Sequence, residues 1–363
     1  MLDAAGYRVF NLFKRGKSAA RNATDILLVR LDHIGDVLLC ASIPKIIKEH
    51  TPGVRLSFLV SSAAAPLLEN NPFVDEILVY DMPGFFRQNS NNAKNKSSFF
   101  GIVREIKKKK FERAFGFRGD LRENLMFWLA RIPERIGYGI TGGGFFLTRE
   151  VMYHHDAHES EHALDLLRAV GIKSNVVRPA LYFSEKENDR FHAKFSRLGS
   201  QNGQRFVGIQ IGAGSSAKEW ETGLLKECIR IFLGRFQNFG LVLTGTDAHQ
   251  VRDLEVNSHP RIMDLVGKTT LREFAWLAGR LAAFIGPDSG PTHIAAGWGV
   301  PTVFLYSGTN VFAKWRPLYE NARVLRHEVP CAPCGLKVCN VKGHPCMNEI
   351  TPGQVINVLL DIL

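Results

Sequence analysis

The sequence predicts an α/β protein with two doubly wound parallel sheets, and three observations lead to this prediction. Apolar, β-rich runs alternate with helical stretches along the chain. The runs are continuous, which is typical of strands buried on both faces of a parallel sheet. With 363 residues, the chain is long for one domain and sufficient for two. We expect the two domains to face a central cleft, because ligands of such folds lie at the carboxyl ends of the strands.

Each half of the chain carries four strand-like runs. In the first half the predicted strands are Ile26–Leu31, Leu56–Val60, Ile77–Tyr80 and Ala114–Phe117, and the helices are Val37–Glu49 and Leu121–Ala130. In the second half the strands are Phe206–Ile211, Leu241–Thr244, Ala283–Ile285 and Thr302–Tyr306, and the helices are Leu224–Phe236, Leu271–Leu277 and His293–Gly297. A polar stretch at 174–204 joins the halves. The predicted boundaries are 1–178 for an N-terminal domain, 179–345 for a C-terminal domain and 346–363 for a C-terminal segment or helix.

The composition indicates a folded protein that needs an anionic partner. Hydrophobic residues make up 45% of the chain, and the net charge is +11. Such a surplus favours nucleic acid, a phospholipid surface or a phosphorylated substrate. We expect no nucleic acid, because no zinc-finger, RNP aromatic or helix-turn-helix pattern is present. No apolar run approaches the roughly 20 residues of a spanning helix, and the N-terminus lacks a secretion signal, so we expect a cytoplasmic protein.

Basic residues are concentrated in two segments. The first is Lys14, Arg15, Lys17 and Arg21, which follows Val9, Phe10 and Phe13 at helical spacing. This segment is expected to lie on an anionic membrane, to pack against the first domain or to be disordered. The second is Lys107–Lys110, which is either a binding surface or a solvated helix face.

The loop after the first predicted strand carries a candidate general base. It consists of Asp32-His33-Ile34-Gly35-Asp36, in which Gly35 permits a tight turn and Asp36 begins a helix. The helix dipole is expected to keep this carboxylate ionised, so that it accepts a proton from an attacking hydroxyl. The alternative is an ordinary helix-capping aspartate.

Two loops of the second half are candidates for nucleotide binding. Glycines and hydroxyls in Gly212-Ala213-Gly214-Ser215-Ser216-Ala217-Lys218 permit amides to approach an anion, and Lys218 completes a phosphate cradle. The alternative is a plain strand–helix turn. Asp247, in the loop that follows the next strand, is placed to bind ribose hydroxyls or is an ordinary loop residue.

The most informative loop is Gly286-Pro287-Asp288-Ser289-Gly290-Pro291-Thr292-His293. Proline and glycine make the loop rigid, and the following helix directs its first amides toward a ligand. Asp288 and His293 have little structural reason to lie together there. A pyrophosphate and the hydroxyls of a donor sugar would use them.

Two further motifs are expected to lie outside the chemistry. His158-Glu159-Ser160-Glu161-His162 fits the H-E-x-x-H pattern of zinc proteases, but a polar, exposed helix start explains it better. Cys331, Cys334, Cys339 and Cys346 hold a structural metal, are packed free thiols or form adventitious disulfides. Cys40 and Cys228 are expected to be buried in helices. We expect no catalytic metal and no cofactor.

The order of these loops resembles glycosyltransferase family nine, the lipopolysaccharide heptosyltransferases. The matching segments are LLVRLDHIGDVLL, GIQIGAGSSAKEW and GPDSGPTHIAAGWGVPTVFLY, and the tail CAPC…C…HPCM is similar to the second-heptose branch. The resemblance implies a GT-B fold of two Rossmann-like domains and inversion at the anomeric carbon without a metal. It also implies ADP-heptose as the donor and, as the acceptor, the anionic inner core of a lipid A precursor at the cytoplasmic face of the inner membrane.

The resemblance also implies roles for single residues. Asp36 matches the catalytic base, Lys218 the phosphate-binding lysine and Asp247 the acid that contacts the nucleoside. The remaining donor-site residues are Gly35, Gly212, Gly214, Ser216, Asp288, Ser289, Gly290 and His293. Some relatives carry Thr-Thr where this chain has Ala213-Gly214. Another nucleotide sugar or acceptor, and a binding protein without catalysis, therefore stay open.

Two arginines are candidates for contact with the acceptor. Arg118 and Arg122 follow the last strand of the first half and open its next helix. Their forked guanidinium groups suit phosphates or carboxylates. The alternative is that both pair with Glu123 or Glu134 on the surface.

Overall fold

The computed structural model describes residues 23–83, 98–174, 179–199, 204–247, 254 and 259–363. The basic, apolar N-terminal segment predicted at residues 9–21 lies outside this part of the chain. The described residues form two compact units, divided between Tyr182 and Phe183. None of the described helices is long and apolar enough to cross a membrane.

The first unit is built on a six-stranded sheet in which every neighbouring pair is parallel. The strand order is β3-β2-β1-β4-β5-β6. The strands are β1 Asp25–Arg30, β2 Arg55–Val60, β3 Glu76–Val79, β4 Arg113–Gly116, β5 Glu134–Gly137 and β6 Arg149–Glu150. Their buried positions form much of the core, as the continuous apolar runs predict.

Five α-helices accompany this sheet in the described residues. They are α1 Ile34–Cys40, α2 Ile43–His50, α3 Phe99–Lys109, α4 Leu121–Leu129 and α5 Glu159–Arg168, with short 3-10 helices at Ala65–Leu67 and Gly144–Phe146. The helical stretch predicted over Val37–Glu49 is confirmed, but it is divided into two helices, α1 and α2. Pro44 lies in the first turn of α2, where its missing N–H and its ring prevent α1 from continuing.

The basic run Lys107–Lys110 ends α3. Lys107, Lys108 and Lys110 are exposed, while Lys109 forms an ion pair with Glu76 of β3. Most of this run is therefore a solvated helix end.

The second unit repeats the architecture of the first. Its parallel strand order is β12-β11-β10-β7-β8-β9. The strands are β7 Arg205–Gln210, β8 Phe239–Thr244, β9 Ile262–Asp264, β10 Ala283–Pro287, β11 Thr302–Leu305 and β12 Ala322–Leu325. The helices are α6 Glu185–Lys194, α7 Thr222–Arg235, α8 Leu271–Ala278, α9 Gly290–Gly297, α10 Phe312–Trp315, α11 Pro345–Asn348 and α12 Pro352–Ile362, with 3-10 helices at Ser196–Gly199 and Ser216–Lys218.

The polar stretch predicted as a connection contains a helix, α6, of the second unit. Ser184 caps this helix through the amide of Glu187, and the Glu187 carboxylate binds Arg272 of α8 at 2.9 Å. Phe191, the one buried residue among those of α6, packs edge-on against Trp276. A helix with one buried position has too little apolar periodicity to be predicted from its sequence.

The C-terminal helix α12 belongs to the core of the second unit. Val355, Ile356 and Leu359 are buried there in one cluster with residues of α7 and of the central strands. This packing gives residues 346–363 a structural role in the unit that carries the nucleotide-binding loops.

In both sheets the candidate loops follow the two central strands, except for the Asp247 loop, which follows β8. The connections leave β1 and β4 in opposite directions across the first sheet, and the same holds for β10 and β7 in the second. Such reversal points open a crevice at the carboxyl ends of the strands, where ligands of doubly wound folds bind. Asp36 and Arg118 lie beside the first reversal point, and Lys218 and Asp288 lie beside the second.

Candidate active site

A buried arginine binds three carboxylates of the first unit. Arg30 ends β1 and is 4% exposed. Its guanidinium donates to Asp32 at 2.7 Å, to Asp36 at 3.0 Å and to Glu159 at 2.9 Å. It also donates to the carbonyl oxygen of Phe117 at 2.7 Å. Three carboxylates are thus fixed by charge-assisted hydrogen bonds to one side chain.

Asp36 lies in the first turn of α1, two residues after the helix begins at Ile34. Its Oδ2 accepts a hydrogen bond of 3.1 Å from the backbone N–H of His33. The capping alternative is therefore part of its role, and the other oxygen, Oδ1, is held by Arg30. No atom lies within 4 Å of where a Cβ of Gly35 would stand.

The surroundings of Asp36 oppose its ionisation, whereas the helix dipole favours it. Burial and then the charge of Asp32 raise the pKa of Asp36 to about 7, against the opposing charge of Arg30. Glu159 adds to the rise, and the amide of His33 opposes it. Asp36 is 5% exposed, so loss of hydration destabilises its ionised form. This effect is larger than the stabilisation that the helix amides provide. With a pKa near neutrality, Asp36 is suited to take up a proton.

Glu123 is a second buried acid, which the sequence did not single out as functional. It lies in the first turn of α4, is 1% exposed, and packs so closely on Gly116 that a Cβ there would lie 2.3 Å from its Oε1. Burial, with a contribution from Asp32, raises the pKa of Glu123 to about 8. Its side chain is therefore mostly neutral at pH 7.

The two candidate arginines differ in their surroundings. Arg118 is partly exposed, and its Nη1 lies 3.4 Å from Oδ2 of Asp32. Arg122 donates to Asp120, the N-cap of its own helix, at 2.9 Å, and to the carbonyl oxygen of Pro83 at 2.7 Å. Of the two, Arg118 is tied to the cluster that holds Asp36.

The acids of the surface-pairing alternative are not on the surface. Glu123 and Glu134 are both buried, and Glu134 accepts from Arg113 at 2.6 Å. The premise of that alternative is wrong, because neither acid is an exposed partner.

The H-E-x-x-H segment opens α5, but the expectation that it is exposed is wrong. Glu159 and His162 are buried, and Glu159 reaches Arg30. In the described part of the chain, no group of three or more His, Cys, Asp or Glu is arranged to hold a metal ion. The segment contributes a carboxylate to the Asp36 cluster, a role that the zinc-protease pattern does not predict.

In the second unit, Asp288 brings three loops together. Asp288 follows β10 and is 4% exposed. Its carboxylate accepts from Lys218 at 3.0 Å, from His293 at 3.2 Å and from Asn310 at 2.7 Å. Burial alone would raise the pKa of Asp288, but the His293 hydrogen bond and the Lys218 charge hold it below its ordinary value. Asn310 was not predicted, and nothing in its sequence surroundings distinguishes it.

The start of α9 adds backbone amides to this group. Ser289 is the N-cap residue, and Gly290 begins the helix. The hydroxyl of Thr292 donates to the carbonyl oxygen of Pro287 at 2.6 Å, and a Cβ on Gly286 would lie 2.5 Å from that hydroxyl. The free amides of such a helix start attract anions.

The loop after β7 contains the other predicted donor-site residues. Gly212 adopts a φ of +74°, a left-handed conformation that glycine adopts at low cost. No atom lies within 4 Å of a Cβ placed on Gly214. The hydroxyl of Ser216 donates to the carbonyl oxygen of Lys337 at 3.3 Å. Asp247, after β8, is exposed.

The cysteines of the C-terminal region are free thiols. Cys331, Cys334, Cys339 and Cys346 line one cavity of about 20 Å³. Cys331 is exposed, Cys334 and Cys339 are partly exposed, and only Cys346 of these four is buried. Cys40 and Cys228 are buried in α1 and α7, as predicted.

Comparison with known proteins decides the family. The family model for glycosyltransferase family 9 (heptosyltransferase) matches residues 100–344, which is more than half of the chain. The chain belongs to glycosyltransferase family 9. This glycosyltransferase is 22% identical over 341 residues to lipooligosaccharide heptosyltransferase 2 of Campylobacter jejuni, and the match covers 91% of this chain and 95% of that protein. The range that matches the family model contains Lys218, Asp288 and His293 but begins after Asp36.

Two solved structures show the fold. The glycosyl transferase family 9 protein of Veillonella parvula superposes with a TM-score of 0.79 at 22% identity, covering 93% of this chain and 97% of that one. ADP-heptose lipopolysaccharide heptosyltransferase II of Escherichia coli gives a TM-score of 0.73 at 20% identity, covering 93% and 98%. The predicted fold class, GT-B with two parallel-sheet α/β domains, is confirmed.

Proposed function

We propose that this glycosyltransferase moves a heptose from ADP-heptose to the inner core of a lipopolysaccharide precursor, with inversion and without a metal. The observation that carries the proposal is the setting of Asp36. It is a buried carboxylate whose pKa is raised to about 7, and it lies beside the reversal point of the first sheet. A general base is most effective when its pKa lies near the working pH.

The donor is proposed to bind at the Asp288 group of the second unit. The E. coli protein with the same fold is named for ADP-heptose, and a diphosphate needs positive charge. Lys218 and the first amides of α9 supply it. Asp288 remains ionised and holds Lys218 and His293 in place, while Gly212, Gly214 and Ser216 let the backbone approach the phosphates. Asp247 is the proposed ribose contact.

The reaction is proposed to be a direct displacement. Asp36 takes the proton of an acceptor hydroxyl as its oxygen attacks the anomeric carbon of the heptose. A new carbon–oxygen bond forms while the bond from that carbon to the β-phosphate oxygen breaks, so the configuration inverts. ADP leaves with the bonding electron pair, and Lys218 and the amides of α9 stabilise its charge.

The acceptor is proposed to bind to the first unit. Lipopolysaccharide core precursors are anionic, and Arg118 lies beside Asp32 in the Asp36 cluster. Arg122 is the second proposed contact. The net charge of +11 suits this acceptor and the cytoplasmic face of an inner membrane to which the protein binds peripherally.

A panel of nucleotide sugars tests the proposal. The purified protein is incubated with each donor and with lipopolysaccharides truncated at successive core sugars, and both released nucleoside diphosphate and lengthened acceptor are measured. ADP-heptose with an acceptor that ends before a core heptose should give both products, and the Asp36→Asn variant should give neither. Transfer from another nucleotide sugar instead, or ADP-heptose binding with no turnover on any acceptor, would overturn the proposal.

A further inference from the structure

Glu159 connects the H-E-x-x-H segment to Asp36. Its Oε1 accepts from Nη2 of Arg30 at 2.9 Å, and the same nitrogen donates to Oδ1 of Asp36 at 3.0 Å. Because both oxygens lie close to one nitrogen, they are at most about 6 Å apart, a separation at which like charges shift each other's protonation. The charge of Glu159 therefore acts directly on Asp36.

The other oxygen of Glu159 faces His162. Nδ1 of His162 lies 3.3 Å from Oε2, and the hydroxyl of Tyr153 donates to the same oxygen at 3.2 Å. Nε2 of His162 lies 2.9 Å from the carbonyl oxygen of His154. Since a carbonyl only accepts, Nε2 carries a hydrogen. Nδ1 of a neutral ring and an ionised carboxylate are both acceptors, so a hydrogen bond between them requires a second proton. The Glu159–His162 pair holds that proton.

The ring of His162 is fixed in the interior and is 1% exposed. It stacks on Tyr153 with 3.9 Å between ring centroids and meets Tyr138 edge-on at 5.9 Å. The hydroxyl of Tyr138 donates to the carbonyl oxygen of His162 at 2.6 Å. A ring held in this way acts on a reaction through its neighbours.

The proton of this pair reduces the negative charge beside Asp36. Arg30 and Arg118 are the cations of the cluster, and Asp32, Asp36 and Glu159 are its carboxylates. Arg30 donates to all three carboxylates, so a proton held by the Glu159–His162 pair lessens the competition of Glu159 with Asp36 for this one guanidinium. The titratable and charged groups around the cluster are Arg30, Asp32 and Asp36 from β1 and its loop, Cys40 from α1, Arg118 and Glu123 from the β4–α4 region, and Tyr153, Glu159 and His162 around α5.

We propose that His162 is a positioning residue: it holds the proton that neutralises Glu159, so that Arg30 remains directed at Asp36. The proposal rests on the proposed function in taking Asp36 as the base of the transfer. The network of Arg30, Glu159 and His162 exists independently of that role.

Two substitutions separate this role from a purely structural one. His162→Gln removes the proton that His162 shares with Glu159, so Glu159 stays anionic near Asp36, and Asp36 then holds its own proton more tightly. The acidic limb of the pH profile of kcat/KM should rise by about one pH unit. Adding Glu159→Gln removes that anion, so the double variant should return to the limb of the parent or below it. A structural defect would lower activity in both variants and leave the limb in place.

The experiment measures kcat/KM from pH 5 to 9 for the parent, His162→Gln and the double variant. Glu161→Gln is the matched control, because Glu161 lies in the same helix and pairs with Arg168 at 3.0 Å. Its acidic limb should coincide with that of the parent. An unmoved limb in His162→Gln, or a double variant shifted as far as the single one, overturns the proposal.

A second readout needs no activity. Asp36→Asn is introduced into the parent, into His162→Gln and into the double variant. In each of these three backgrounds, the melting temperatures with Asp36 and with the Asp36→Asn substitution are compared across pH. Their difference levels off at the pH where Asp36 becomes ionised. That pH should rise in the His162→Gln background and fall back when Glu159→Gln is added. If the parent transfers no heptose, the proposed function fails, and this titration alone decides whether His162 acts on Asp36. An unchanged levelling-off pH would refute that role.

Discussion

Replacing Asp36 with asparagine should stabilise the protein at neutral and alkaline pH. Burial and neighbouring carboxylates raise the pKa of Asp36 from 3.8 to about 7. The folded state therefore binds this proton more tightly than the unfolded state, and Asp36 costs stability progressively as the pH rises from about 4 to 7. At about 1.4 kcal/mol per pKa unit, the cost reaches roughly 4 kcal/mol above pH 7. The asparagine of the variant stays neutral and avoids this cost.

The assay is thermal unfolding of parent and Asp36→Asn from pH 5 to 8. The advantage of the variant should be on the order of 2 kcal/mol at pH 5 and grow until about pH 8. For a unit of this size, 1 kcal/mol moves the melting temperature by about 2–4 °C, so the two proteins should differ by roughly 10 °C at pH 8. An advantage that does not change with pH, or a less stable variant at pH 8, would refute the reasoning.

Asp75 provides a control of opposite sign. Burial alone would raise the pKa of Asp75, but the amide of Leu56 and the charge of Lys48 hold it below its ordinary value. Asp75→Asn should therefore lower the melting temperature at neutral pH, and the loss should diminish as the pH falls toward the lowered pKa.

Three further predictions concern the donor site. Lys218→Ala should weaken ADP binding, measured by calorimetry, about 10- to 100-fold, because a hydrogen bond to a charged group is lost. The control Lys186→Ala, on the exposed face of α6, should bind ADP like the parent. Equal dissociation constants for Lys218→Ala and the parent would exclude Lys218 from the phosphate site. Gly214→Ala should fold normally, since a Cβ there meets no atom within 4 Å, yet raise the donor KM if phosphates approach this backbone; an unchanged KM would remove Gly214 from the site. Transfer should survive a chelator, because Lys218 and the α9 amides supply the positive charge; activity lost with chelator and restored by one divalent ion would contradict this.

The central strands could be predicted because strands buried on both faces consist of continuous runs of apolar residues. β1 and β7 lie within one residue of their predicted positions. Short or charged elements have no such apolar run. β5 consists of Glu134–Gly137, with two of its four residues charged, and β12 is only partly buried. Both were missed, as was the polar helix α6.

Some residues of the candidate site have local sequence signals, and others do not. Local signals singled out Asp36, Lys218, Asp288 and His293 as candidates, because a glycine-containing loop after a strand can be recognised from a few consecutive residues. Arg30 and Glu159 meet across 129 residues of sequence, and no local pattern predicts that contact. The same distance in sequence hides the groups that act on the ionisation of Asp36. Its ionisation depends on burial and on carboxylates that tertiary structure brings to it.

The pH profile of heptose transfer tests the central claim most directly. The measurement is kcat/KM with ADP-heptose and a truncated lipopolysaccharide acceptor, for the parent and for Asp36→Asn. If Asp36 is the base, activity of the parent should rise tenfold per pH unit and level off near pH 7, where its carboxylate becomes ionised. Asp36→Asn should lose about 100- to 10,000-fold and show no such limb. A variant that keeps the activity of the parent, or the same acidic limb, would contradict the account.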